Sequence, residues 1–520
     1  MFFQVASAPV TPTVTPTVMP TLTPWSRGAG TQHYGKMNIR FERLPLGFFR
    51  EDSPQRPPWR FVLKRVALAV LLLAVPVFFP SLTWSQSTVQ EEMRRGLALF
   101  QTGDMQQAVA AFTAVLEANP NHSRALNNRG LAFFRLGQMQ DALADFQRAV
   151  ALDAEYFQAW TNMGLAYFRL GKQEQALDAS SRAIALRPRF GMPYNTRGLV
   201  YLERGAYADA VREFNRVLEL DPEYARAYNA RGYALNQLER YDAALMDLER
   251  AVALDPENPL PRNNKGWALI QSGRYTEAIQ ELEAALALDP SLTRAHANLG
   301  LANRLLRRHE AALAAYDQAL RLEPDNPELL ARRGIARAHA GRYAEAVQDY
   351  TVALRRTPQD VAVLNNRGIA LTNLRRFDAA LADFAQAAAI APDNPETYVN
   401  RGNVFIHQGA YDRAVTEYDH ALLLDPSRAN AHNNRGYALR ELGHLDQALE
   451  AFQQALRINP DHALARNNLG VTLVLSGNKV QGCEALRTAC ALNYCIDLDW
   501  AIGRGFCQEA PETSLRHPGQ

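Results

Sequence analysis

The sequence predicts an all-α protein, an α-solenoid of about 12 tandem 34-residue helix-turn-helix units closed by a C-terminal capping helix. Three observations carry this. Glycine recurs at one constant interval, at Gly96, Gly130, Gly164, Gly198, Gly232, Gly266, Gly300, Gly334, Gly368, Gly402, Gly436 and Gly470, without insertion or deletion. Alanine holds one fixed place behind each glycine, from Ala108 through Ala448, until Gly482 replaces it in the last unit. Proline holds another, from Pro120 and Pro188 through Pro426 and Pro460; only Ala154 and Tyr494 depart from it. A period of this kind marks stacked supersecondary units, each burying its apolar face on the next.

The elements follow in chain order. The 520 residues carry 56 basic and 54 acidic side chains, a net charge of +2, so the composition calls for no nucleic-acid partner. Residues 1–60 are expected to be a disordered basic region. Its stretch 11–24 alternates Thr and Pro with single apolar residues and has no amphipathic period. Residues 61–88 read as a signal peptide or a signal anchor. Lys64 and Arg65 precede the apolar run 66–79, and Ser81, Thr83, Ser85 and Ser87 follow. Either reading keeps the basic end in the cytoplasm and exports the rest. An uncleaved segment would make the membrane a partner. The solenoid is expected over 89–494, a disulfide-linked cap over 495–507, and a disordered tail over 508–520.

Within each unit, small residues let two helices approach closely, and Pro stops the second helix. An aromatic ring occupies one shared offset at Phe112, Phe146, Phe214, Tyr316, Tyr350, Phe384, Tyr418 and Phe452, and is expected to fill the core. This register resembles the tetratricopeptide repeat. Residues 160–188 match it best, with Trp160, Gly164, Tyr167, Ala176, Ala183 and Pro188 at family positions. The resemblance, of an exported or membrane-anchored bacterial type, implies a right-handed superhelical stack. It also implies a role in binding proteins rather than in catalysis.

A charge pattern supports the pairing of helices. Arg or Lys just before the glycine is answered by an acid at one fixed position downstream: Arg129 with Asp145, Arg197 with Glu213, Arg231 with Asp247, Lys265 with Glu281, Arg333 with Asp349, Arg367 with Asp383, and Arg401 with Glu417. Where the first position is apolar the second is Ala, as in Met163 with Ala179. A half-buried guanidinium needs a partner, so the two positions are expected to touch. Arg95 and Arg435 face Ala111 and Ala451 and stand out as candidates for an outside partner.

Two residues before the glycine, Asn recurs at Asn128, Asn162, Asn264, Asn298, Asn366, Asn400, Asn434 and Asn468. The family places this position on the concave surface, where similar ladders hold a peptide backbone. An amide both donates and accepts, so it can satisfy any peptide unit. Tyr233, Trp267 and Tyr437, just after the glycine, are candidate anchors. The expected partners are therefore extended segments of proteins or peptides. The alternative is a structural envelope protein whose solenoids self-associate. No phosphate loop, dinucleotide fingerprint or metal-ligand spacing is found, so neither cofactor nor metal is expected.

All four cysteines lie near the C-terminus. In an exported chain they are expected to be paired. Cys483 and Cys490 are two turns apart on one helix, about 10.5 Å in rise, too far for a disulfide. A helical hairpin with its turn near Asn493 and Tyr494 favours the nested pairs Cys490 with Cys495 and Cys483 with Cys507 over the crossed ones.

Overall fold

The computed structural model describes residues 86–508. The expected region 1–60, the apolar run of the membrane-targeting segment and residues 509–520 lie outside them. The described residues form 25 α-helices and no strand. Among them no helix is long and apolar enough to cross a membrane. They divide into two compact units, 86–272 and 273–508.

The first unit holds α1 (Gln86–Thr102), α2 (Met105–Ala118), α3 (Ser123–Arg135), α4 (Met139–Leu152), α5 (Phe157–Arg169), α6 (Gln173–Leu186), α7 (Gly191–Glu203), α8 (Tyr207–Leu220), α9 (Ala225–Gln237), α10 (Tyr241–Leu254) and α11 (Pro259–Gln271). The second holds α12 (Tyr275–Leu288), α13 (Thr293–Leu305), α14 (His309–Leu322), α15 (Pro327–His339), α16 (Tyr343–Arg356), α17 (Val361–Asn373), α18 (Phe377–Ile390), α19 (Pro395–Gln408), α20 (Tyr411–Leu424), α21 (Ala429–Glu441), α22 (Leu445–Ile458), α23 (Ala463–Leu475), α24 (Lys479–Ala491) and α25 (Ile496–Gly503). Odd-numbered helices through α23 carry the repeat glycine and are the first helices of their hairpins; even-numbered ones are the second. The first described helix begins at Gln86; the solenoid was expected from residue 89.

The core explains the glycine. A Cβ on Gly368 would lie 2.6 Å from the Phe384 ring, so only hydrogen fits between α17 and α18. The same contact with a fully buried ring recurs at Gly96, Gly130, Gly198, Gly300, Gly334, Gly402 and Gly436, whereas Gly164 meets Ser180 and Gly232 meets Leu248. The ring thus fills its own hairpin, rather than only the space between hairpins.

A left-handed residue makes the turn between the two helices of a hairpin. Glycine fills the position in most hairpins, such as Gly341 at φ 75°. Glu239, Arg307 and Arg375 fill it in three others, at φ 59°, 57° and 56°. A second device has the same spacing. Asn258, Asn326 and Asn394 cap α11, α15 and α19, each followed by Pro in the first helical turn. Both sets fall on alternate hairpins, which reveals a two-hairpin module that the single-hairpin period concealed.

The charge pairs form as expected. Arg129 is bidentate to Asp145 at 2.8 Å, Arg231 to Asp247 at 2.7 and 2.6 Å, and Arg367 to Asp383 at 2.7 and 2.6 Å. Arg333 meets Asp349, Arg197 meets Glu213 and Arg401 meets Glu417 at 2.7, 2.5 and 2.8 Å. Lys265 and Glu281 belong to different units; within its own unit Lys265 lies 3.2 Å from Glu249. The guanidiniums also reach back, into the second helix of the preceding hairpin. Arg129 donates to Thr113, Arg231 to Asn215, Arg333 to Asp317 and Arg367 to Thr351. Each of these cations therefore ties its own hairpin to the one before.

This corrects the expectation for Arg435 and Arg95. Arg435 donates to Asp419 of the preceding hairpin at 2.5 Å, and Arg95 pairs with Glu92 on its own helix at 3.2 Å.

At the C-terminus the structure pairs Cys483 with Cys507, Cα atoms 5.5 Å apart, and Cys490 with Cys495, 4.1 Å apart. Leu498, Trp500, Ile502 and Phe506 then cover Val471, Val474 and Leu486 of the last hairpin. A solenoid end needs such a cover, because no further unit buries its apolar face.

Candidate functional site

Within each unit, successive first helices touch, as α3 does α5 and α17 does α19, whereas no two successive second helices do. The stack is therefore tighter along its first helices, and these line the inner face. Every residue of the expected ladder and all three expected aromatic anchors lie on first helices.

The ladder asparagines hold one another. Asn162, Asn264 and Asn468 each donate from Nδ2 at 2.9 Å to an asparagine on the preceding first helix, at Asn127, Asn229 and Asn433. Those partners stand three residues before the preceding glycine. Within one helix the chain continues: Asn127 donates to Asn128 at 3.3 Å, Asn263 to Asn264 at 3.4 Å, and Asn433 to Asn434 at 3.1 Å. Asn434 donates on to Asn403 at 3.0 Å, which also accepts from the Tyr418 hydroxyl at 2.8 Å. The result is a hydrogen-bonded line that crosses from one first helix to the next. Its second row was missed at the sequence level, although the doublet in the phrase NNRG was its signal.

The ladder is unevenly accessible. Asn366, Asn400 and Asn468 are buried, whereas Asn128, Asn162, Asn264, Asn298 and Asn434 are half-buried. One rung is open. Asn365 donates to Val361 O and Thr397 Oγ1, which leaves its own Oδ1 and the Nδ2 of Asn400 unpaired.

The aromatic anchors differ from most of their counterparts in other hairpins, although Leu97 and Leu301 are half-buried as well. At the same offset Leu165, Leu199 and Ile369 are buried at 3%, 5% and 2% exposure. Tyr233, Trp267 and Tyr437 are only half-buried, so part of each ring stands on the inner face. Tyr437 meets Tyr411 edge to face at 6.4 Å, and the Arg440 guanidinium lies over its ring at 4.9 Å. Burial, with Glu441 and Tyr411 beside it, pushes the Tyr437 phenol up to about 12. In the first unit Arg135 and Arg169 lie over Phe100 and Phe134, each at 5.8 Å. Burial lowers both guanidiniums, and Arg226 lowers Arg135 further. This part of the face offers aromatic surface backed by positive charge.

Family models agree with the repeat architecture. A tetratricopeptide-repeat family model matches residues 93–156, 136–189, 195–259, 263–327, 306–361 and 331–395, more than half of the chain. A second tetratricopeptide-repeat model matches 429–462 and a TPR-repeat model matches 402–443. No curated protein matches the sequence. Among solved structures the chain is similar to yeast Tom70, at 16% identity over 74% of this chain and 94% of that one, with a TM-score of 0.40. It is similar to the APC/C hetero-tetramer Cut9-Hcn1 at 14% identity over 75% and 97%, with a TM-score of 0.44. It is also similar to YrrB, a TPR protein with an unusual peptide-binding site, at 26% identity over 36% and 95%, with a TM-score of 0.32. With an unbroken period, paired helices and a family model over most of its repeats, the chain belongs to the tetratricopeptide-repeat family.

Proposed function

We propose that this protein is a non-catalytic scaffold that holds extended segments of partner proteins along the inner face of its first helices, in the cell envelope. Proteins of this family bind protein or peptide partners generally. The observation that carries the reading is the set of half-exposed rings Tyr233, Trp267 and Tyr437, at an offset where six other hairpins bury an aliphatic residue, at Leu131, Leu165, Leu199, Ile335, Ile369 and Val471. Rigid aromatic side chains on a concave face are effective anchors. The asparagine line does not close the ladder to a ligand. Each amide has two N–H groups and two lone pairs, so a half-buried amide with one bond made can make another.

Two features support export. One is the basic and apolar segment at 61–88. The other is the pairing of all four cysteines, which suits an oxidising compartment. A reporter active only outside the cytoplasm, fused after residue 120, should be active; activity of a cytoplasmic reporter there instead would sink the export reading. For the groove, a photo-crosslinking residue at Trp267 or Tyr437 should capture a partner in cells, and one at the exposed Met246 of α10 should not. Equal capture from both would show that the inner face has no special role.

A further inference from the structure

Each junction between hairpins sets the residue before the repeat glycine against one receiving place, on the second helix of the hairpin before it. Arg129 meets Thr113 there, Arg231 meets Asn215, and Arg367 meets Thr351. Lys265 meets Glu249, Arg333 meets Asp317, and Arg435 meets Asp419. The separation along the chain is the same in every case. In the hairpins that are followed by another, the receiving place is Thr, Gln, Ser, Asn, Glu, Asp or Ala, and never a cation. In the last hairpin, α23 with α24, it is Arg487. Arg487 donates to the Gln508 carbonyl at 3.0 Å, and so helps to hold the chain that covers this end.

In other respects the two ends of the stack are built to fit each other. Every hairpin of a repeat buries its front on the back of the one before, so the back of α23 and α24 matches the front of α1 and α2. The back is apolar, with Val471, Val474 and Leu486 beneath the cap. The front is open. Met93 on α1 is half-buried, whereas Asn127, Thr161 and Ala331 are buried at the same place in later hairpins. A second copy seated front to back would make a heterologous contact, which does not close on itself and grows into filaments.

Such a contact brings two cations together. Arg95 is the residue before the first repeat glycine, so in register it would stand at Arg487 of the other copy. Its own hairpin places Ala111 where most hairpins with a cation here place an acid. One carboxylate, Glu92, already taken by Arg95 at 3.2 Å, would then serve two guanidiniums. In a half-buried seam an uncompensated cation is costly.

From this register we propose that Arg487 is an electrostatic stop: it keeps a second copy of the chain from docking front to back on the last hairpin, and so keeps the solenoid finite. The cap covers the apolar surface of that end. Arg487 rejects the surface whose register fits it whenever the cap opens. Like charges set face to face across an interface suppress the wrong partner. An acid in place of Arg487 would instead supply the tie that Asp317 and Asp419 supply at internal junctions.

The test uses the full chain with all four cysteines replaced by Ser, which leaves α25 held by packing alone, and sedimentation at rising protein concentration. With its natural charges this open-cap chain should stay a monomer. Arg487→Asp in the same background should give concentration-dependent oligomers, the apparent mass rising about twofold or more. Arg95→Glu with Arg487 kept should do the same. The two reversals together should return the chain to a monomer, because two acids then meet. In the disulfide-bonded chain Arg487→Asp should remain a monomer, since the cap still covers the face. Assembly of the open-cap chain with its natural charges, as strong as with either reversal, would mean a merely sticky end and would overturn the proposal. Assembly by neither reversal would show that charge is not the stop and would overturn it too. The reversals lie at opposite ends of the chain, so a folding defect caused by one leaves the other to decide.

Discussion

Removing the Asp383 carboxylate would leave Arg367 with only the Thr351 hydroxyl, at 3.3 Å. The Asp383 side chain is 7% exposed and that of Arg367 20%. Asp383→Ala should therefore lower stability by about 3 kcal/mol, the usual loss when one partner of a buried pair is removed, measured by urea denaturation. Asn434→Ala should also destabilise, by about 1–3 kcal/mol, because it takes a partner from both Asn403 and Asn433. An unchanged melting curve would return Asn434 to the role of a ligand contact alone. The own-hairpin partner of each arginine was legible because two positions change together along one chain: charge answers charge, and an apolar residue answers Ala. The partner in the preceding hairpin was not legible, because Thr113, Asn215, Asp317 and Thr351 share only an oxygen, and the correlation dissolves into several residue types. For the ladder, the offset was visible in the sequence, but its hydrogen bonds to the row beside it depend on packing between hairpins.

At the scale of elements, the three turns without glycine give a clean experiment. Arg375→Gly should stabilise the second unit by about 1 kcal/mol, the approximate cost of a left-handed side-chain residue. A loss of stability would mean that Arg375 makes a compensating contact. The cap offers another. The Cys483 to Cys507 link spans a sequence separation of 24. Replacing both by Ser should lower stability by about 3 kcal/mol. Hydrogen exchange should then quicken in α24 and α25 before it does elsewhere. Helix number and hairpin pairing were readable because glycine, alanine and proline recur at fixed offsets. The two-hairpin module was hidden, because its signs are a missing glycine and an Asn-Pro pair, both weaker than the single-hairpin signal.

At the scale of the whole molecule, acid should loosen the solenoid through its histidines. His462 accepts the Ala465 N–H on Nδ1 and meets Asn430 through Nε2 at 2.8 Å, so it caps α23 as a neutral ring. Burial holds His462 and His432 below their ordinary range. The folded state then binds fewer protons than the unfolded one, so the stability present above pH about 6.5 is lost as pH falls below it. Melting temperature should drop between pH 7 and pH 5. His462→Asn, which keeps a capping oxygen as Asn326 does, should flatten that slope. A slope unchanged in His462→Asn would place the acid sensitivity elsewhere.

The arginine ties also govern how such a chain can be inherited. Arg333 holds Asp317 behind it and Asp349 ahead, at equal separations along the chain. Excising residues 334–367 joins Arg333 directly to Gly368, and Asp383 then stands where Asp349 stood. Every tie is restored, with one rung fewer. An excision that is not a whole number of repeats brings a residue of the wrong kind to that place and strands a cation in a half-buried seam. A gene for this protein can therefore grow or shrink by whole repeats and is penalised for fractions of one. That selection against partial steps is the physical reason why its glycines keep their spacing without a slip.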